Sequence, residues 1–189
     1  MSETKLHYYF VMSFICWLLP FALRIFTFEV PEVKIKQVEN HNATIINQIT
    51  QYVSENDNKT AFSLIFKNNL KGCILNIVGG VMLGIGTLVN LLFNGFFSAD
   101  VFVSSYHSGL NITSILKVTL PHSFELIGFW LSGAIGFYIA WNIIQFMRGK
   151  NSFSTRFYKQ VGIGFVAVFF IILSAAYIEA YISTSMTIQ

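Results

Sequence analysis

The sequence predicts an all-α integral membrane protein, a single membrane domain with four transmembrane helices and an amphipathic helical segment between the first and second. Three observations predict it. Hydrophobic residues make up 54% of the 189 positions and charged residues 11%, against roughly 25% charged in a soluble domain; the mean hydropathy is +0.59. The charges are also segregated. No Asp, Glu, Lys or Arg occurs at 6–23, 72–99, 126–147 or 160–178, and each window has about the 20 residues that cross a ~30 Å hydrocarbon core. Finally, small residues recur at four-residue spacing inside these windows, as helix faces in close contact require.

The first span, about 7–27, follows a single basic residue, Lys5, contains Pro20 and lacks a small-x-small cleavage pattern. It therefore reads as a retained helix and not as a signal peptide. After it the pattern changes. Val38, Ile45, Ile46, Ile49, Tyr52 and Val53 form an apolar stripe at helical spacing, which predicts an amphipathic helix over about 36–55. Asn56, Asp57 and Asn58 break it, and Asn58 is placed to cap a second short helix over 59–71. The whole amphipathic segment is thus about 36–71.

The second span, about 72–97, carries Gly79, Gly80, Gly84 and Gly86 for close packing, with Asn76 one turn before Gly80. Asn90 and Asn94 share a face near its other end, and the Asn94, Gly95 pair is expected to end or bend it. The stretch 96–120, with Ser104, Ser105, His107, Ser108 and Gly109, reads as a loop ending in a short interfacial helix. Pro121 then opens the third span, about 122–147, at its first helical position. Gly128, Ser132, Gly136 and Ala140 line one face of that span, and Glu125 lies on the same face. A basic turn over 148–159 leads to the fourth span, about 160–183, which carries Glu179.

Ten of the twelve Lys and Arg residues fall in or beside the first and third loops. The positive-inside rule therefore places those two loops in the cytoplasm and both termini outside. The net charge of +3, with no basic patch interleaved with aromatics, argues against a nucleic-acid partner. Cys16 and Cys73 sit in different spans and read as buried free thiols, so neither a disulfide framework nor a metal site is expected, and no cofactor.

The ionisable groups nearest the bundle are His122, Glu125 and Glu179. His122 and Glu125 are neighbours at i and i+3. With alternating spans, all three come to one membrane surface together with Asn90 and Asn94, and each carboxylate needs a partner there. Three readings follow. The histidine and glutamate cap the third helix and Glu179 pairs with a neighbour; or the cluster binds a cation or a charged group of a peptide; or two carboxylates and an imidazole perform acid–base chemistry or hold a metal.

An ordered set of segments runs through the chain: KNNL at 67–70, GGVMLGIGTL at 79–88, Asn94 with Gly95, LPHSFEL at 120–126 followed by SGAIG, and SAAYIEAYIS at 174–183. In this order and spacing they resemble the stage II sporulation protein M family of bacterial and archaeal membrane proteins. The family's glycine after the histidine is Ser123 here. The resemblance implies a multi-pass protein of the cell membrane acting within membrane complexes. Its founding type works in septal wall remodelling, and relatives in circular-bacteriocin clusters are implicated in peptide maturation or export.

The expected function is an integral membrane component of an envelope-remodelling or peptide-handling assembly, not enzymatic by itself. The alternatives are an intramembrane enzyme acting on peptides and an export subunit. Expected partners are the lipid bilayer and other membrane proteins, with a homo-oligomer as a further option.

Overall fold

The computed structural model describes residues 6–27, 52, 57–107, 111–150 and 153–183, and the side chains of 112–123, 182 and 183 lie outside that description. The described residues are almost wholly helical. They form α1 (Leu6–Thr27), α2 (Asn58–Gly79), a 3-10 turn (Gly80–Met82), α3 (Ile85–His107), α4 (Ile112–Met147) and α5 (Thr155–Ile178), which runs into a π-helical segment (Glu179–Ser183). Four helical stretches are long and apolar enough to cross a membrane: Leu6–Thr27, Ile85–His107, Phe124–Met147 and Thr155–Tyr181. In α4, 56% of the apolar window is buried, against 11% in α1. The third apolar helix is therefore the centre of the bundle, and α1 mostly faces lipid.

The largest departure from the sequence reading lies at 72–97. That stretch is not one span: its first part completes α2, and its second part begins α3. Between them the chain reverses through the 3-10 turn, with Leu83 at φ 54° and Gly84 at φ 84°. The reversal is tight because Gly79 and Gly86 lack side chains. A Cβ on Gly86 would lie 2.8 Å from Gly79 Cα, and one on Gly79 would overlap the Thr87 backbone nitrogen. Lack of charge reports residence in the membrane and says nothing of direction, so a hairpin and a straight helix read alike.

α2 begins one residue earlier than expected and is capped by Asp57 rather than Asn58; the Asp57 carboxylate accepts from Thr60 N at 3.1 Å. Hydrogen bonds from the Thr60 side chain and backbone hold this carboxyl below the usual range. Residues 58–71, expected as a peripheral helix, are thus the first part of a helix packed in the bundle. The amphipathic helix expected over 36–55 lies outside the described residues, apart from helical Tyr52. α3 continues through Asn94 and Gly95 to His107. Gly95 does not end the helix but lets α1 approach, since a Cβ there would strike the Trp17 carbonyl and stand 2.9 Å from Pro20 Cγ. α4 likewise runs through Pro121 rather than starting there.

Contacts fix the direction of each helix. Ser13 meets Gly133 and Tyr9 meets Tyr138, so α1 is antiparallel to α4. α1 is parallel to α3 through Trp17 against Gly95 and the Arg24 to Asp100 ion pair, 2.5 Å. α2 runs parallel to α4, with Asn69 at Glu125, Gly72 at Phe129 and Gly80 at Gly136. Gly128 against Ile172 and Tyr138 against Gln160 make α5 antiparallel to α4. Five helices therefore alternate in direction. The upper end holds the start of α1, the 80–84 reversal and the connection from α4 to α5. The lower end holds Thr27, Asp57, His107 and Glu179. The first and third loops, expected on one membrane face, leave from opposite ends, because α2 adds a traverse that the hydropathy windows did not separate.

Candidate functional site

The polar residues of the bundle are gathered on α2, α3 and α4. On α2, Asn69, Gly72, Cys73, Asn76, Gly79 and Gly80 recur at three- and four-residue spacing and so form one helix face. That face lies on the small-residue face of α4. A Cβ on Gly80 would collide with the Gly136 carbonyl, and one on Gly136 with the Asn76 carbonyl and, at 2.5 Å, Thr87 Oγ1. The backbones touch, which brings the asparagine side chains into the seam.

Asn76, wholly buried, is the hub. Its amide donates to Ser132 Oγ at 2.9 Å and to the Phe129 carbonyl at 3.2 Å. Its Oδ1 accepts from Asn90 Nδ2 at 2.8 Å, and its own carbonyl accepts from Thr87 Oγ1 at 2.7 Å. The network continues down α3. Asn90 donates also to the Gly72 carbonyl at 3.0 Å, Asn94 donates to Asn90 Oδ1 at 3.2 Å, and Ser98 Oγ donates to the Asn94 carbonyl at 2.8 Å. One turn below Gly72 and Cys73, Asn69 Nδ2 donates to Glu125 Oε1. Each of these groups would otherwise stand in hydrocarbon, where an unmatched amide costs several kcal/mol, of order 2–7.

The expected cluster is thus partly rearranged. Asn94 donates to Asn90 and Asn90 in turn to Asn76, and Glu125 accepts from Asn69 of α2. The side chain of His122 lies outside the described residues. Glu179 is half-buried and opens the π segment, whose Ala180 packs with Ile65 of α2 while Tyr181 faces Phe62. Ile65 and Asn69 are one turn apart, so the π segment and Glu125 meet neighbouring turns of α2. Among the described residues, no three His, Cys, Asp or Glu side chains are grouped as a metal site. Of the packing residues, Gly84 lies against Phe137 and Ala140, and Gly128 against Ile171 and Ile172. Asn69 and Asn76 were missed as site residues. Their signal was the seven-residue interval that puts both on the glycine stripe.

Alternating apolar helices tied through their centre by interhelical amides define a multi-pass helical membrane protein. The chain belongs to the stage II sporulation protein M family, whose model matches residues 9–184. It is also similar to an uncharacterized protein of Methanocaldococcus jannaschii, 29% identical over 126 residues, 65% of this chain and 70% of the relative. No solved structure matches it.

Proposed function

We propose that the chain is an integral, non-catalytic component of a multiprotein assembly in the bacterial cytoplasmic membrane, engaged in envelope remodelling or peptide handling. The observation that supports this reading is the use of the amides: Asn69, Asn76 and Asn90 are spent on holding α2, α3 and α4 to one another, and Asn94 supports Asn90 from within α3. Such a network builds a rigid body whose surface, not its interior, is offered to partners.

Purification of the tagged chain from native membranes in mild detergent tests the proposal, with a reproducible set of co-purifying membrane proteins expected. Recovery of the chain alone, together with peptide turnover that Glu125→Gln or Glu179→Gln abolishes while the fold is retained, would replace it with an intramembrane enzyme. The π segment that opens at Glu179 favours this second reading, since such segments are frequent at functional sites.

A further inference from the structure

We infer that the outer face of α2 is the docking surface for a membrane helix of a partner protein that carries a carboxylate within its span. This rests on the reading of the chain as a component of an assembly and names the surface it offers. Lys67, Asn68, Lys71, Ile74, Leu75 and Val78 are all exposed. Their spacing gathers them on one side of α2, turned away from the Asn69, Gly72 and Asn76 face that meets α4.

Depth is the first observation. Gly72, next to Lys71, lies against Phe129, and Gly128 beside that ring meets Ile172. Ile172 stands about 13 Å inside the lower end of the apolar stretch Thr155–Tyr181, at 1.5 Å per residue. Trp17 joins the same level, meeting both Trp130 and Gly95. Near that level the outer faces of the other helices are hydrocarbon: Leu19 on α1, Phe97 on α3 and Phe170 on α5 are exposed. α2 instead presents lysine and amide, which lipid tails do not match.

Charge is the second. Among the described residues, neither Lys67 nor Lys71 meets a carboxylate, whereas Arg24 is bound to Asp100. Helical side chains lean toward the N-terminus, so the stem of Lys71 can turn down toward the lower surface. That path brings it over Lys67, one turn below, and like charges at this spacing repel. A carboxylate carried on a neighbouring helix neutralises both at their own depth, and Asn68 can share hydrogen bonds with the same helix. Ile74, Leu75 and Val78 continue the contact above as an apolar seam. A second copy of this chain does not fit. Two such faces on a two-fold axis would set lysines against lysines. The carboxylates with described side chains, Asp57, Asp100, Glu125 and Glu179, are none of them exposed to reach across.

Photo-crosslinking of the full chain in native membranes tests this, with p-benzoylphenylalanine placed at Leu75 and, as a control, at Leu19. The probe at Leu75 should give a protein adduct whose partner has an Asp or Glu inside a membrane span, and the probe at Leu19 should not. Lys67→Leu with Lys71→Leu should lower the yield about tenfold, the effect of losing one interhelical polar pair in a membrane. Lys71→Arg should keep it. Lys71→Glu should abolish it, and exchanging the partner's carboxylate for lysine should restore it. An undiminished adduct in the folded double-leucine variant, a partner without a carboxylate in its span, or an adduct of two copies of this chain would overturn the surface. Adducts with lipid alone, while membrane proteins still co-purify, would remove this face and leave the assembly standing. A chain that purifies alone would end both.

Discussion

Asn76 shows how much a single amide can hold. It contacts α4 through Ser132 and Phe129 and α3 through Asn90 and Thr87, so its removal loosens both seams. Asn76→Ala is expected to destabilise the bundle by about 1–3 kcal/mol, read as a lower unfolding midpoint in detergent. In a double-mutant cycle with Asn90→Ala, the coupling should be about 0.6–1.7 kcal/mol. Additive effects would mean that the two amides do not bond in the membrane. Gly136 is constrained by space instead, as the Asn76 carbonyl and Thr87 fill the place of its side chain. Gly136→Leu should therefore separate α2 from α4 and cost more than Asn76→Ala. An unchanged melting profile would remove this contact from the fold. At this scale the sequence was informative about which residues are special and poor on their partners. Asn90 and Asn94 stood out as amides in an apolar window, but Asn76 faces them only because the chain reverses at 80–84.

Among the elements, the α2 to α3 hairpin decides the fold, and it was the least legible. Gly79, Gly80, Gly84 and Gly86 were read as close-packing residues, which they are. Two of them pack against each other across a turn that the hydropathy pattern conceals. The same limit applied to the other boundaries. The Asn94, Gly95 pair and Pro121 are helix punctuation in water, yet both lie within helices here. α1 covers Gly95, and a missing backbone donor at Pro121 is tolerated in a bundled helix. The turn makes its own prediction. Gly84 adopts φ 84°, and a Cβ there would stand 3.2 Å from Ala140 Cβ. Gly84→Ala should cost about 1–2 kcal/mol from backbone strain alone. Gly162→Ala, where a Cβ would meet nothing within 4 Å, should be neutral or slightly stabilising. Equal midpoints for the two variants would show that the left-handed turn is not formed.

For the molecule as a whole, α2, a fifth long helix packed along α4, changes what the charges mean. Membrane residence and the four apolar helices could be read from composition, because charge avoidance over about 20 residues has few other causes. Orientation could not, because α2 carries Lys59, Lys67 and Lys71 and escapes a hydropathy threshold while packing along α4. Those lysines share the lower end with Asp57, Asp100 and Glu125, and their long stems allow the ammonium groups to reach that surface. Single cysteines at Lys59, Asn111 and Thr155, on a background lacking Cys16 and Cys73, separate the possibilities in intact cells. All three positions are exposed. With the upper end in the cytoplasm, a membrane-impermeant maleimide should label the cysteines at 59 and 111 and spare the one at 155 until the membrane is permeabilised. The reverse pattern would invert the protein and keep the bundle. Matching behaviour at 59 and 155 would mean that α2 does not cross, and the antiparallel hairpin joined by Asn76 and Asn90 would have to be abandoned.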